Sequence, residues 1–165
     1  MGYRYDINEV NVCGEGAKVT QMLDALANIA KERIKGNALY RIKDNKRCLD
    51  GGRDYAESYV SRLNDEIKES EEIIKSLPDR VLSRDEVLEN LRWEYFFDED
   101  GTLSSMYHQS DVKDINEEEL EVIAPFVNDG CYVEVSGEDR DDLFRYVFRN
   151  GAMRKINAVI SFPED

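Results

Sequence analysis

Residues 56–77 constrain this chain more than any other stretch. Ala56, Val60, Leu63, Ile67, Ser70, Ile74 and Leu77 recur at alternating spacings of four and three, while Asp65, Glu66, Lys68, Glu69, Glu72 and Lys75 take the opposite face. A period near 3.5 residues sustained over about three heptads describes an amphipathic helix with one seam to bury. Asp54 is placed to cap it and Pro78 to stop it, so one long amphipathic helix is expected at about 54–77. The apolar seam, Val60, Leu63, Ile67, Ile74 and Leu77, can be covered in two ways. It packs on another helix or a sheet of the same chain, or it joins two copies as a homodimer.

The flanking sequence supplies strands and shorter helices. Tyr3, Tyr5 and Ile7, then Val10 and Val12, alternate with a change of phase at Asn8-Glu9, the pattern of a strand with a bulge. Val19, Met22, Leu23, Leu26, Ile29, Ala30 and Ile34 follow at helical spacing, and Gly36-Asn37 reads as the stop. The basic stretch 37–53 then reads as irregular, a short element and a mobile loop. Ser83-Arg84-Asp85-Glu86 is a capping box opening a short helix, with Val87, Leu88 and Leu91 inward. Trp93–Phe97 is a strand by composition. Asp98-Glu99-Asp100-Gly101 turns it, and Thr102–His108 returns. Asn116 is placed to cap a further helix that runs to about Val127, with Pro125 near its end to kink or shorten it.

Three strands close the chain: Cys131–Ser136, Leu143–Arg149 and Met153–Phe162. A two-residue Asn150-Gly151 turn would set Phe144 opposite Asn157 and Tyr146 opposite Lys155, mixing the faces. A three-residue loop, Asn150-Gly151-Ala152, pairs Phe144 with Ala158 and Tyr146 with Ile156, so the longer loop is expected. The fold class is therefore α+β: an antiparallel sheet of about five strands with helices packed on one face. Residues 1–165 read as one domain, helix-rich over 1–91 and strand-rich and acidic over 92–165.

Charge is segregated along the chain. Residues 94–142 carry sixteen carboxylates against Lys113 and Arg140, a charge of −14 that equals the net charge of the whole protein. Within the neutral remainder, 31–53 is basic, with eight cations against Glu32, Asp44 and Asp50. No apolar run approaches the ~18 residues of a membrane span, and the N-terminus lacks the layout of a signal peptide. The chain reads as cytoplasmic, with no membrane partner.

Most familiar chemistries find no support. Cys13, Cys48 and Cys131 are odd in number and lack a CxxC spacing, which argues against a disulfide framework or zinc knuckle; they read as small buried hydrophobes. Gly14-Glu15-Gly16-Ala17-Lys18 lacks the spacing of a phosphate-binding loop and reads as a connecting turn. Asp98, Asp100 and Gly101 match part of a calcium loop, but Tyr107 stands where the bidentate Glu belongs. His108 is the only histidine, near Asp111, with no nucleophile placed beside it by a known motif. No catalytic residue, metal site or cofactor is assigned, and a small carboxylate–metal enzyme ranks third among the readings. Direct nucleic-acid binding is not expected, because phosphates would be repelled by the acidic half.

The acidic clusters carry the sharper expectation. Asp98-Glu99-Asp100, Glu117-Glu118-Glu119 with Glu121, and Glu138-Asp139 with Asp141-Asp142 fall in turns and at a helix start. Carboxylates held on one rigid scaffold imitate a phosphate backbone and can occupy a basic surface, with fast, steered association. Reversing Glu117, Glu118 and Glu119 to Lys is expected to abolish such binding with the fold intact.

Residues 123–139, Ile-Ala-Pro-Phe-Val-Asn-Asp-Gly-Cys-Tyr-Val-Glu-Val-Ser-Gly-Glu-Asp, followed by Arg145-Tyr146-Val147-Phe148, resemble a block found in small uncharacterised proteins of bacteria and their phages. The resemblance covers roughly 93–162 and implies no catalytic residue. In size and acidity the chain is similar to anti-CRISPR inhibitors and DNA-mimic antirestriction proteins, although no motif of the ArdA-type antirestriction family is present. That similarity implies an anti-defence inhibitor whose partner is a basic protein surface, such as that of a Cas or restriction nuclease. The alternative is a dimerising adaptor or regulatory domain of a bacterium or phage.

Overall fold

α1 (Val19–Asp50) runs unbroken for 32 residues, straight through the Gly36-Asn37 pair expected to end it. The computed structural model describes residues 4–51, 55–108, 114–138 and 142–159. A glycine ends a helix by turning left-handed at its C-terminus. Gly36 does not; among the described residues the glycines with positive φ are Gly101, Gly130 and Gly151. It stays helical at a cost of about 1 kcal/mol, which packing beyond it offsets. The expected irregular stretch is thus helical from 37 to 50, while Arg53 and the capping Asp54 lie outside the described residues.

The chain divides into two compact units: Ala27–Asn90, and residues 1–26 together with 91–165. In the first, α1 from Ala27 onward and α2 (Glu57–Ser76) form an antiparallel pair. Asn45 Nδ2 donates to Glu66 Oε2 at 2.9 Å, Lys46 meets Glu71 at 3.8 Å, and Lys31 Nζ donates to the Pro78 carbonyl at 3.1 Å. Asn45 and Lys46, late in α1, thus meet the middle of α2, while Lys31, earlier in α1, meets Pro78 just past the α2 end, which sets the two helices antiparallel. The α2 seam is buried in this packing, with Leu63, Ile67, Ser70 and Leu77 inside and Val60 and Ile74 half-buried. Leu63, Ile67 and Leu77 each contribute roughly 2 kcal/mol by burial. Of the residues offered above for a dimer contact, Leu63, Ile67 and Leu77 are therefore covered within the chain, and Val60 and Ile74 are covered in part. Of the basic run, Lys46 meets the acidic flank of α2 at Glu71. α3 (Arg84–Glu89) follows with its capping box formed: Ser83 Oγ accepts from Glu86 N–H, and the Glu86 carboxylate accepts from Ser83 N–H. The Ser83 backbone N–H, and then the Ser83 side chain, hold the Glu86 carboxyl below its ordinary pKa.

The second unit is built on a four-stranded antiparallel sheet of order β1-β4-β5-β6, with β1 Tyr5–Asn11, β4 Tyr132–Gly137, β5 Leu143–Arg149 and β6 Ala152–Asn157. The register of β1 on β4 shifts between Ile7 and Glu9, which is the expected bulge. The remaining strands, β2 (Glu94–Phe97) and β3 (Leu103–Tyr107), form a separate hairpin instead of widening the sheet. Val133 and Val135 of β4 and Phe144, Tyr146 and Phe148 of β5 are buried on one face, and the intervening residues stay exposed or half-exposed. This is the alternation of an antiparallel sheet covered on one side.

The β5–β6 hairpin corrects the expected register. Asn150 and Gly151 have φ of 51° and 69°, a two-residue type I′ turn, and Phe144 faces Asn157 while Tyr146 faces Lys155. Turn chemistry prevails because β6 has no buried face to protect: apart from half-buried Met153, its residues are exposed. Lys155 resolves the mixing of faces by laying its ammonium 3.7 Å from the Phe144 ring centroid.

α4 (Glu117–Ile123) is shorter than expected, giving way at Pro125 to a 3₁₀ turn over Ala124–Phe126. Asn116 does not cap it with its side chain. The residue is left-handed, with φ 56°, and its Nδ2 instead donates to the Asp114 carbonyl at 3.0 Å and lies 3.4 Å from His108 Nε2. His108 is buried edge-on against Trp93, whose Nε1 donates to the Ile115 carbonyl at 3.1 Å. Among the described residues no helix is long and apolar enough to cross a membrane.

Candidate acidic surface

The first residue of α4 starts the site. Glu117 is exposed at the helix N-terminus, where the macrodipole favours a carboxylate. Its Oε1 accepts a hydrogen bond from the Tyr146 hydroxyl, which rises from the covered face of β5. Burial, and then the Glu117 carboxylate, push the Tyr146 phenol well above its ordinary pKa. Tyr5, Asp114, Asn116, Glu118 and Lys155 join these two residues around a polar cleft of about 460 Å³. Three carboxylates thus open on a cleft whose visible cation is Lys155, already laid on aromatic rings.

Glu118 and Glu121 are exposed on α4, and Glu138 is exposed in the β4–β5 connection. Among the described residues none of the three forms an ion pair. Asp142 is half-buried, and its carbonyl accepts the Gly137 N–H at 2.7 Å to close that connection. Asp139 and Asp141 lie outside the described residues. Tyr5 faces Gly137 in the β1–β4 ladder and its ring meets Phe144 at 6.1 Å. The cleft and the β4–β5 connection therefore share one end of the sheet.

The Asp98-Glu99-Asp100 cluster stands at the other end. Gly14 and Gly16 follow the far end of β1; Gly14 N–H donates to the Leu103 carbonyl at 3.0 Å, and a β-carbon on Gly16 would lie 3.5 Å from the Asp100 carbonyl. The seven residues of β1 separate the two ends by roughly 20 Å. All three acids are exposed on a tight turn closed by Asp98 N–H to the Thr102 carbonyl at 2.9 Å. Thr102 N–H holds the Asp100 carboxyl below its usual range. Among the described residues no three His, Cys, Asp or Glu side chains converge as a metal site would require.

Glu119 leaves the surface altogether. It is 0% exposed and accepts the N–H groups of Arg92 at 2.8 Å and Trp93 at 3.2 Å, with the Tyr95 hydroxyl at 3.4 Å. A buried carboxylate needs such donors. A two-turn helix displaying Glu117, Glu118 and Glu121 outward aims Glu119 inward, together with Leu120 and Ile123. The triple reversal that includes Glu119 would therefore break the fold along with any binding. Tyr5, Asp114, Tyr146 and Lys155 were not singled out from the sequence, because nothing local distinguishes them from strand and loop residues that merely pack.

No family model, curated protein or solved structure matches this chain.

Proposed function

We propose that this protein is a non-enzymatic interaction protein that occupies the basic surface of a nucleic-acid-handling enzyme, in the manner of an anti-defence inhibitor. The observation that carries the reading is the gathering of Asp114, Glu117, Glu118 and the Glu138 connection at one end of a rigid sheet, with Glu121 on the next turn of α4. Fixed carboxylates lose little conformational entropy when they meet lysines and arginines, and a net charge of −14 speeds the encounter. The partner class follows from charge: a Lys/Arg-lined channel of the kind that holds a phosphate backbone.

The test is capture of partners from a bacterial lysate by the tagged protein, with low-salt and then high-salt washes, followed by inhibition assays on any nuclease recovered. A nuclease that is released by salt and inhibited by the protein supports the reading. Reversal of Glu118, Glu121 and Glu138 to Lys should weaken that binding at least tenfold. Reversal of Asp98, Glu99 and Asp100, at the other end of the sheet, should weaken it less. Binding indifferent to salt and to the first set of reversals would sink the proposal.

A further inference from the structure

Cys13 and Cys131 stand 118 residues apart in sequence with their sulfurs 3.5 Å apart. Cys13 follows β1 and Cys131 precedes β4, so the pair sits just beyond Asn11–Tyr132, the last rung between those strands. The backbone fixes both residues. Cys13 N–H points at Cys131 Sγ at 3.4 Å, Asn128 N–H donates to the Cys13 carbonyl at 2.9 Å, and the Asn128 carbonyl accepts Cys131 N–H at 3.3 Å. Asn128 Nδ2 also reaches Cys13 Sγ at 3.4 Å. Alongside, Gly14 pairs with Val127 so closely that a β-carbon at Gly14 would stand 2.6 Å from the Phe126 carbonyl. The two thiols are held side by side by main chain on both strands.

We propose that Cys13 and Cys131 are a redox-active dithiol, a modification site for two-electron oxidants of the hydroperoxide class that closes to an intrachain disulfide. Cys13 is half-buried and Cys131 buried, so Cys13 is the thiol that meets the oxidant. Its thiolate attacks one peroxide oxygen and the O–O bond breaks. Cys13 becomes a sulfenic acid, and the departing hydroxide takes up a proton to leave as water. The Cys131 sulfur then displaces the sulfenic hydroxyl; the S–S bond forms, the S–O bond breaks, and a second water leaves with the Cys131 proton. Two thiols give up two electrons and one peroxide becomes two waters. Burial raises the pKa of the Cys131 thiol, so the second step rests on the fixed 3.5 Å proximity of the two sulfurs rather than on thiolate population. The sulfurs need to approach by only about 1.5 Å to reach bonding distance.

The wild-type protein treated with a slight excess of hydrogen peroxide, alkylated under denaturing conditions and mapped by mass spectrometry tests this directly. The expected product is a monomer in which the Cys13 and Cys131 peptides are joined and Cys48 alone is alkylated. Closing a loop this long constrains the unfolded chain, so the thermal midpoint should rise by roughly 5–15 °C and return on reduction with dithiothreitol. Cys48→Ser should behave identically, which decides the matter even where Cys13→Ser or Cys131→Ser fails to fold. A disulfide through Cys48, a link between chains, sulfinic acid at Cys13 without a link, or no reaction at any cysteine would overturn the proposal.

Discussion

Glu119 accepts the backbone N–H of Arg92 at 2.8 Å, and with that bond one member of an acidic triplet becomes an internal strut between α4 and the start of β2. Its neighbours on either side remain on the surface. Adjacent residues of identical chemistry thus do opposite jobs.

Replacing Glu119 by Ala should cost about 3 kcal/mol, because it strands the buried Trp93 N–H and the part-buried Arg92 N–H and opens a cavity. Glu118→Ala should change stability by no more than about 0.5 kcal/mol. Urea unfolding of the two variants checks the contrast. Equal losses would mean that Glu119 is not buried in solution.

Two glycines should respond with opposite signs. Gly36 lies inside α1, and a β-carbon there meets nothing within 4 Å, so Gly36→Ala should stabilise by roughly 0.5–1 kcal/mol. Were the helix to end at Gly36, as its sequence suggests, the same change would destabilise. Gly151 holds φ 69° in the β5–β6 turn, and Gly151→Ala should cost about 1 kcal/mol. Thermal or denaturant unfolding reports both.

Tyr146 sets an alkaline limit. Burial, and then Glu117, raise its pKa in the folded protein, above the ~10 of an exposed tyrosine. A raised value means that the folded chain keeps a proton which the unfolded chain loses. Its contribution is fully present below about pH 10 and declines above it. Denaturant unfolding between about pH 7 and pH 12 should show that decline, and Tyr146→Phe should make it shallower. Tyr132, raised by its bond to Glu9, shifts the same way and leaves a residual slope.

Surface charge gives the fourth expectation. Glu118, Glu121 and Glu138 have no ion-pair partner among the described residues, so their reversal to Lys should leave the fold intact by circular dichroism. Loss of the fold in that variant would mean these side chains pack.

Periodicity and local chemistry were enough to identify α2, the α3 capping box, the β1 bulge, the β2–β3 turn and the antiparallel α+β class. Each rests on contacts within a few residues or on a repeat that only one element satisfies. The register of β5 on β6 was decided by a conflict between two such rules. The face-matching rule yields there because β6 is exposed, and exposure is a property of the assembled sheet. The continuation of α1 past Gly36 likewise goes with tertiary packing, since Ala38 and Asn45 are buried beyond it and Asn45 bonds to Glu66, twenty-one residues away. The same distance hides the burial of Glu119, the cleft shared by Tyr5, Glu117 and Tyr146, and the meeting of Cys13 with Cys131. A charge or a thiol carries no mark in sequence of whether water or another part of the chain will surround it; that depends on which distant strands and helices close over it.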